Sequence, residues 1–352
     1  MPKLELVDLP FDQYQRYRVV QQIVGMVRNH LCCSRLRVLD VGGFFRTITG
    51  EDILPIAQFL PEDHTVAVDL AECTVSSYVR GNGAHLPFVD GSFDVVTTCD
   101  TLEHVPRSHR PAFVDELLRV AARYVILAAP FDDNLTRLAD QVIFDFDQTF
   151  YNFEQPQLRE HIENVLPNRG ELCDWIEQRG HLYVDFASGY LHHWLPMMLL
   201  KHYLFGVPDS AHLHVNLDRY YNLNFTHRGQ RAPAYRHVFV ISKTKEDETF
   251  LAQVARSFQS LSNVSSDDGV ALARSLLTLV EWQREFRRER ERNRFMVLQE
   301  QNEQLQEQNE QLRERCRQLA QHIEAIRNGR VMRLMTGVRQ LWLGITGAKE
   351  RL

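Results

Sequence analysis

Three apolar runs within the first 105 residues each end in side chains that can do chemistry. Arg35–Val41 carries Asp40 and runs into Gly42 and Gly43; Thr65–Asp69 ends in Asp69 and is followed by Leu70; Phe93–Thr98 leads to Asp100, Glu103 and His104. Glycines carry no side chain, so at Gly42 and Gly43 the main chain can pass close to a bound ligand. Asp69 stands 27 residues after Gly42, closing a strand. A carboxylate there can accept two hydrogen bonds from a ligand's diol, stronger than neutral ones because the acceptor is charged. A surface acid capping the next helix is the plainer alternative. His104 is the candidate general base for a hydroxyl acceptor, with Glu103 as its orienter or as an acid at a helix start.

These residues need a frame that brings them to one edge. Val19, Val20, Ile23, Val24, Val27 and Leu31 recur at helical spacing and predict a leading helix over Phe11–Leu31. Arg35–Val41 is the first strand, its apolar residues running toward Asp40, as expected when helices cover both faces. A helix over Asp52–Phe59, strands at Thr65–Asp69 and Phe93–Thr98, a helix over Pro111–Ala121 and a strand at Tyr124–Ala129 follow. This alternation implies right-handed crossovers and an α/β fold with a doubly wound, mostly parallel sheet. Such sheets bind ligands in the crevice outside the carboxyl ends of their strands, where Asp100, Glu103 and His104 fall.

Past Pro130 the alternation loosens, and Phe131–Gly170 is rich in Asp, Asn, Gln, Phe and Tyr. A helix over Glu171–Arg179, a strand at His181–Phe186, a helix over Leu191–Phe205 and a strand at His237–Ser242 are predicted beyond it. His192, His193, His202, His212 and His214 include an i, i+2 pair but no H-E-x-x-H motif, so no metal site is assigned. Tyr220, Tyr221, Asn222, Asn224 and Tyr235 suit a sugar-like acceptor, since flat rings stack on pyranose faces, although ordinary packing explains them nearly as well.

The last quarter has a different character. Leu298, Asn302, Leu305, Asn309, Leu312, Cys316, Leu319, Ile323 and Ile326 are spaced alternately four and three apart, the seam of a coiled coil over residues 295–327. Buried asparagines at one seam position cost stability but fix alignment and favour a parallel dimer. Residues 246–294 read as a helical linker. Beyond Arg327, Val331, Leu334, Met335, Val338, Leu341, Trp342 and Ile345 share one helical face, flanked by Arg330, Arg333, Arg339 and Lys349. A basic amphipathic tail over 328–352 can lie on an anionic membrane surface or dock within the dimer; Gly337, Gly344 and Gly347 weaken its helix.

With 352 residues, 44% hydrophobic and 24% charged, the chain can bury one sizeable core and carry an extension. A formal charge of −6 argues against a whole-protein affinity for nucleic acid. The N-terminal segment lacks the layout of a signal peptide, and no apolar run reaches the roughly 18 residues of a membrane span. The expected location is therefore cytoplasmic, with the tail peripheral at the inner face of the membrane. The six cysteines have neither the spacing of a disulfide framework nor that of a zinc site.

RVLDVGG, TVAVDL and GNGAHLPFVDGSFDVVTTCDTLEHV, in that order between Arg37 and Val105, resemble the cofactor half of a class I S-adenosylmethionine-dependent methyltransferase with a methyltransferase type 11-like core. A dinucleotide-binding fold shares the strand-end acid, but G-x-G-x-x-G is absent, and LPF-x-D-x-SFD is typical of methyltransferases. The resemblance implies S-adenosylmethionine as cofactor and a seven-stranded Rossmann-like sheet whose last two strands form an antiparallel edge. It implies a methyltransferase domain over 1–245, with insertions at 131–235 building the acceptor pocket. Asp40, Gly42 and Gly43 would serve the donor's ammonium end, Asp69 its ribose, Leu70, Ala84 and His85 its adenine, and Asp100 the crevice beside them. Phe44, Phe45 and Arg46 stand where relatives carry further glycines, and Gly83 where they carry a short acid, a contact that His85 is expected to replace. Core, coil and basic tail together look like bacterial enzymes that modify surface polysaccharides or act beside glycosyltransferases. That implies O-methylation of a glycan or glycolipid intermediate, and a glycosyltransferase partner recruited by the coil. The departures leave two other expectations: a non-catalytic scaffold dimerised by its coil, or a small-molecule methyltransferase.

Overall fold

The computed structural model describes residues 5–47, 50–208, 210–259 and 268–346. Gly347 and Lys349 of the tail and residues 260–267 of the linker lie outside them. In chain order, α1 (Phe11–His30) precedes β1 (Arg37–Val41) and a small hairpin of β2 (Phe45–Arg46) and β3 (Asp52–Ile53). Then come α2 (Pro55–Phe59), β4 (His64–Asp69), β5 (Tyr78–Arg80), β6 (Phe93–Cys99), α3 (Arg110–Val120) and β7 (Ala121–Pro130). α4 (Asn134–Tyr151), α5 (Pro156–Asn164) and α6 (Arg169–Gln178) lead to β8 (Leu182–Tyr190). α7 (Leu191–Phe205), α8 (Ala211–Asn224), β9 (Ala234–Ser242) and α9 (Glu248–Gln259) follow.

The main sheet has seven strands in the order β5-β4-β1-β6-β7-β9-β8. β1 pairs in parallel with β4 and β6, while β9 runs antiparallel to both β7 and β8. Only β9 is therefore reversed, and β8 on the edge again points the way of β7. Both faces are buried, with period two along each strand. Val38, Val95, Ile126 and Val240 face the side covered by α1 and α9, together with Phe250, Leu251, Val254 and Phe258 of α9. Leu39, Val96, Leu127 and Phe239 face the side covered by α3 and α6, with Phe113, Leu117, Leu172 and Ile176.

Three stretches differ from the sequence expectation. The helix expected over Asp52–Phe59 shrinks to α2. Pro55 occupies its first turn and holds Leu54 extended, while Asp52 turns back to Arg46 across 2.7 Å to close the hairpin. β5, only three residues long, was not anticipated. The loosely patterned region after Pro130 is mostly helical. α4 starts where the Asp133 side chain accepts the N–H groups of Leu135 and Thr136, and α4, α7 and α8 bury a third cluster around Ile143, Trp194, Met197, Leu217 and Tyr221. This cluster also contains Phe11 and Tyr235.

α10 (Asp268–Asn328) follows, and the second compact unit, which begins within it at Val280, is helical where described: the rest of α10 and α11 (Arg330–Thr346). Leu298, Leu305, Leu312 and Leu319 are exposed on α10, as are Val331, Leu334, Met335, Val338 and Leu341 on α11. Among the described residues no helix is long and apolar enough to cross a membrane.

Candidate active site

Two adjoining cavities open beyond the carboxyl ends of β1, β4 and β6. The first encloses about 670 Å³ and is lined by Gly42, Asp69, Leu70, Ala84, His85, Asp100 and His104 among the expected residues. Phe44 lines it too, yet leaves it open; its ring stands edge-on to Tyr78, 6.1 Å between centroids.

The glycine turn is fixed by its surroundings. Gly42 has φ +82°, and a Cβ there would collide with Thr101 Oγ1, so only glycine fits on both counts. A Cβ at Gly43 would collide with the Asp40 carboxylate, which fills the space beneath the turn. Asp40 is fully buried and does not reach the cavity. It accepts the Tyr17 hydroxyl proton at 2.7 Å, and burial pushes its carboxyl up to about 7. The structure thus gives Asp40 and Gly43 a supporting place below the loop.

Asp69 sits at the opposite wall. Its oxygens accept only long bonds from the main-chain N–H groups of Phe44 (3.4 Å) and Ala71 (3.2 Å), leaving lone pairs for a ligand. Leu70 beside it is 67% exposed, an apolar surface turned to the cavity. The Gly83 substitution also acquires a physical reason. A side chain at 83 would strike the Phe113 ring and Val41, and Phe113 lines the cavity in its place. Asn82, which the sequence reading did not single out, lines the same wall and accepts the Ala84 N–H at 2.9 Å.

The second cavity, about 420 Å³, is lined by Glu103, His161, Lys201, His202, Trp194 and Tyr235. It shares Gly42, Phe44, Asp100, His104 and Gln157 with the first. Trp194 and Tyr235 stack at 3.6 Å on one wall. Of the five polar aromatic and amide residues expected to meet a sugar, only Tyr235 lines this cavity. Tyr221 is buried in the third cluster, and Asn222 donates to the carbonyls of Val7 and Leu9.

Asp100 adopts φ +50° at the end of β6, and Arg16 (3.0 Å) and Arg236 (2.8 Å) hold its carboxylate. Glu103 is almost fully buried; burial and the nearby Asp100 raise its carboxyl well above the usual range. His104 accepts or donates through Nδ1 to Glu160 at 2.8 Å, and its ring lies 5.0 Å from that of His161. Burial, then His161, lower the His104 imidazolium, so the ring is neutral near pH 7. His161 in turn pairs through Nδ1 with Asp140 at 3.0 Å, and Tyr235 donates to the other oxygen of Asp140 at 2.8 Å. His161 and Asp140 were missed because they lie on α5 and α4, helices that no periodicity revealed.

The histidine-rich stretch does not converge. His202 pairs with Asp147, His192 faces the Tyr190 hydroxyl, and His214 is pushed down to about 4 by burial and Lys201.

Residues 35–128 match the family model described as a methyltransferase domain. An uncharacterized methyltransferase of Mycobacterium sp. (strain KMS) is 32% identical over 111 residues, 29% of this chain and 43% of that protein. A protein of the same description from Mycobacterium sp. (strain MCS) matches equally. The chain thus spans less than half the length of the curated relatives it matches. Among solved structures, the YcgJ protein of Bacillus subtilis aligns with a TM-score of 0.35 and 15% identity, over 63% of this chain and 97% of that one. Magnesium protoporphyrin IX methyltransferase (ChlM) of Synechocystis PCC 6803, with bound SAH, aligns with a TM-score of 0.39 and 12% identity, over 69% and 90%.

Proposed function

We propose that the chain is an S-adenosylmethionine-dependent methyltransferase acting on an oxygen of a glycan or glycolipid intermediate. The observation that carries this reading is the pair of joined cavities: a nucleoside-sized chamber with a carboxylate on one wall opens directly onto an aromatic-walled one. The residues fit the donor. Gly42 leaves the main chain bare for its amino-acid tail, Asp69 has lone pairs for the ribose hydroxyls, and Leu70, Ala84 and Phe113 offer an apolar slot for adenine. Bound there, the donor supplies an electrophilic methyl carbon on a sulfonium.

The chain's own contribution is alignment, exclusion of water and removal of a proton. Trp194 and Tyr235, buried and stacked on each other, give the second cavity a firm aromatic wall, and Lys201 adds a charge that its partner Asp218 shares at 2.6 Å. His104 stands at the junction with Nδ1 held by Glu160, which leaves Nε2 to accept the acceptor's proton; Glu103 lies beside it, 4.0 Å from Nε2.

The reading extends to assembly. The exposed leucines of α10, with Asn302 and Asn309 in the alternate register, suit a parallel homodimer, and isolated helices gain little without such packing. The coil would set spacing to, or recruit, a glycosyltransferase, and the basic tail would touch an anionic membrane from the cytoplasmic side.

Methyl-labelled donor incubated with fractionated cell extract tests the acceptor class. Label in glycan or glycolipid fractions is expected. Label confined to small molecules would move the acceptor class, and donor binding without label anywhere would leave a scaffold.

A further inference from the structure

Glu103, His104 and His161 stand out from every other polar cluster among the described residues. Their ligand-capable atoms lie within 4.8 Å of one another, at the junction of the two cavities. They come from two separate elements, the short 3-10 turn after β6 and α5, so the convergence is tertiary.

Each histidine is already oriented. His161 hydrogen-bonds Asp140 through Nδ1, and His104 hydrogen-bonds Glu160 through Nδ1. Both rings therefore keep Nε2 for something else, in the arrangement by which an outer carboxylate fixes the tautomer and raises the basicity of a metal-ligating imidazole. Among the described residues the inner atoms have no partner: His161 Nε2 and Glu103 Oε2 are both buried without a hydrogen bond. His161 is 9% and Glu103 1% exposed. Buried polar atoms left unpaired are costly, and a cation would satisfy both at once.

We propose that Glu103, His104 and His161 form a site for a divalent first-row transition cation, of which zinc is the type. Two imidazoles and one carboxylate favour such an ion over magnesium or calcium, which prefer all-oxygen shells. A tetrahedral zinc with bonds of about 2.0–2.1 Å sets its ligand atoms about 3.3 Å apart, so the three side chains close inward on binding. Three protein ligands leave a position open, and here it faces the second cavity.

The inference rests on the methyl-transfer reading for what the open position does. An acceptor hydroxyl coordinated there becomes more acidic. Its proton passes to water, the oxygen forms the new bond to the methyl carbon, and the sulfonium sulfur keeps the electron pair of the broken bond. The cluster's task is then acidification of the hydroxyl in place of direct abstraction by His104.

Cobalt(II) titration of the full chain, followed by visible absorption and calorimetry, tests the site. One ion per chain is expected, with ligand-field bands and without the near-ultraviolet charge transfer that thiolates of Cys32 or Cys33 would add. Glu103→Gln and His161→Gln, checked for folding by circular dichroism, should each weaken binding at least tenfold. Asp140→Asn should weaken it about 10–100-fold through His161 alone. Absence of stoichiometric binding, or binding unchanged in the double variant Glu103→Gln/His161→Gln, would overturn the proposal. Donor binding measured on the same samples separates the two readings. Donor without cobalt removes only the metal site, and cobalt without donor removes the methyltransferase reading.

Discussion

Arg236 on β9 grips Asp100 at the end of β6 through two hydrogen bonds, 3.0 Å from Nε and 2.8 Å from Nη2. Arg236 is fully buried, and the same guanidinium reaches Asp12 of α1 at 2.6 Å. Burial works to raise the Asp12 carboxyl, but Arg236 and Arg16 outweigh it and hold it at about 2. Helix, central strand and reversed strand are thus locked together directly under the junction of the cavities.

Removing one member of that network leaves buried charge uncompensated. Arg236→Ala is expected to cost about 3–5 kcal/mol of stability, read by urea denaturation. Donor affinity measured well below the unfolding transition should fall less steeply than stability, because Arg236 lines neither cavity.

The glycine turn should tolerate no side chain. Gly42→Ala must accept a left-handed conformation, costing about 1–2 kcal/mol, and displace Thr101 as well. Adding Thr101→Ala should recover the steric part only. Thermal denaturation of the single and double variants separates the two contributions.

Asp40 predicts a pH dependence. Its folded value, about 7, lies above the unfolded value near 3.8, so the folded state binds the extra proton between them. The contribution to stability is complete below about pH 4 and is lost as pH rises through 7, up to about 4 kcal/mol. Asp40→Asn keeps an acceptor for Tyr17 and should flatten that part of the stability–pH curve relative to the wild type. Parallel curves for the two proteins would contradict the assignment.

The exposed leucine stripe predicts a parallel dimer. Cys316 falls on the expected seam and is a free, exposed thiol, so helices paired in register would bring two copies of it face to face. Mild oxidation should give a disulfide-linked dimer on non-reducing gels, abolished by Cys316→Ser. Leu305→Asp/Leu312→Asp should give monomers in analytical ultracentrifugation.

The sheet was legible because β1, β4, β6 and β7 each carry a short apolar run at their centre, Val38–Leu39, Val66–Val68, Val95–Val96 and Tyr124–Ala129, buried or partly buried between helices. α7 was legible for the same reason and spans the expected Leu191–Phe205. α8 was not, since it buries Asp218, Asn222 and His214 alongside its apolar residues, which blurs any period. α4 had one readable signal, the Asp133 cap, hidden in a polar stretch. The strand-end residues Asp69, Asp100 and His104 could be placed from order along the chain. Their partners Arg236, Asp140 and His161 could not, because contacts between distant segments leave no local pattern.

The central claim is that the first cavity takes the methyl donor with Asp69 on its ribose. Isothermal titration of the purified full chain with S-adenosylmethionine should show one saturable site per chain. Asp69→Ala should weaken it by about 1.5–3 kcal/mol, roughly 10–150-fold, the range for hydrogen bonds to a charged group. No heat at millimolar donor, or equal affinity in wild type and Asp69→Ala, would contradict the account.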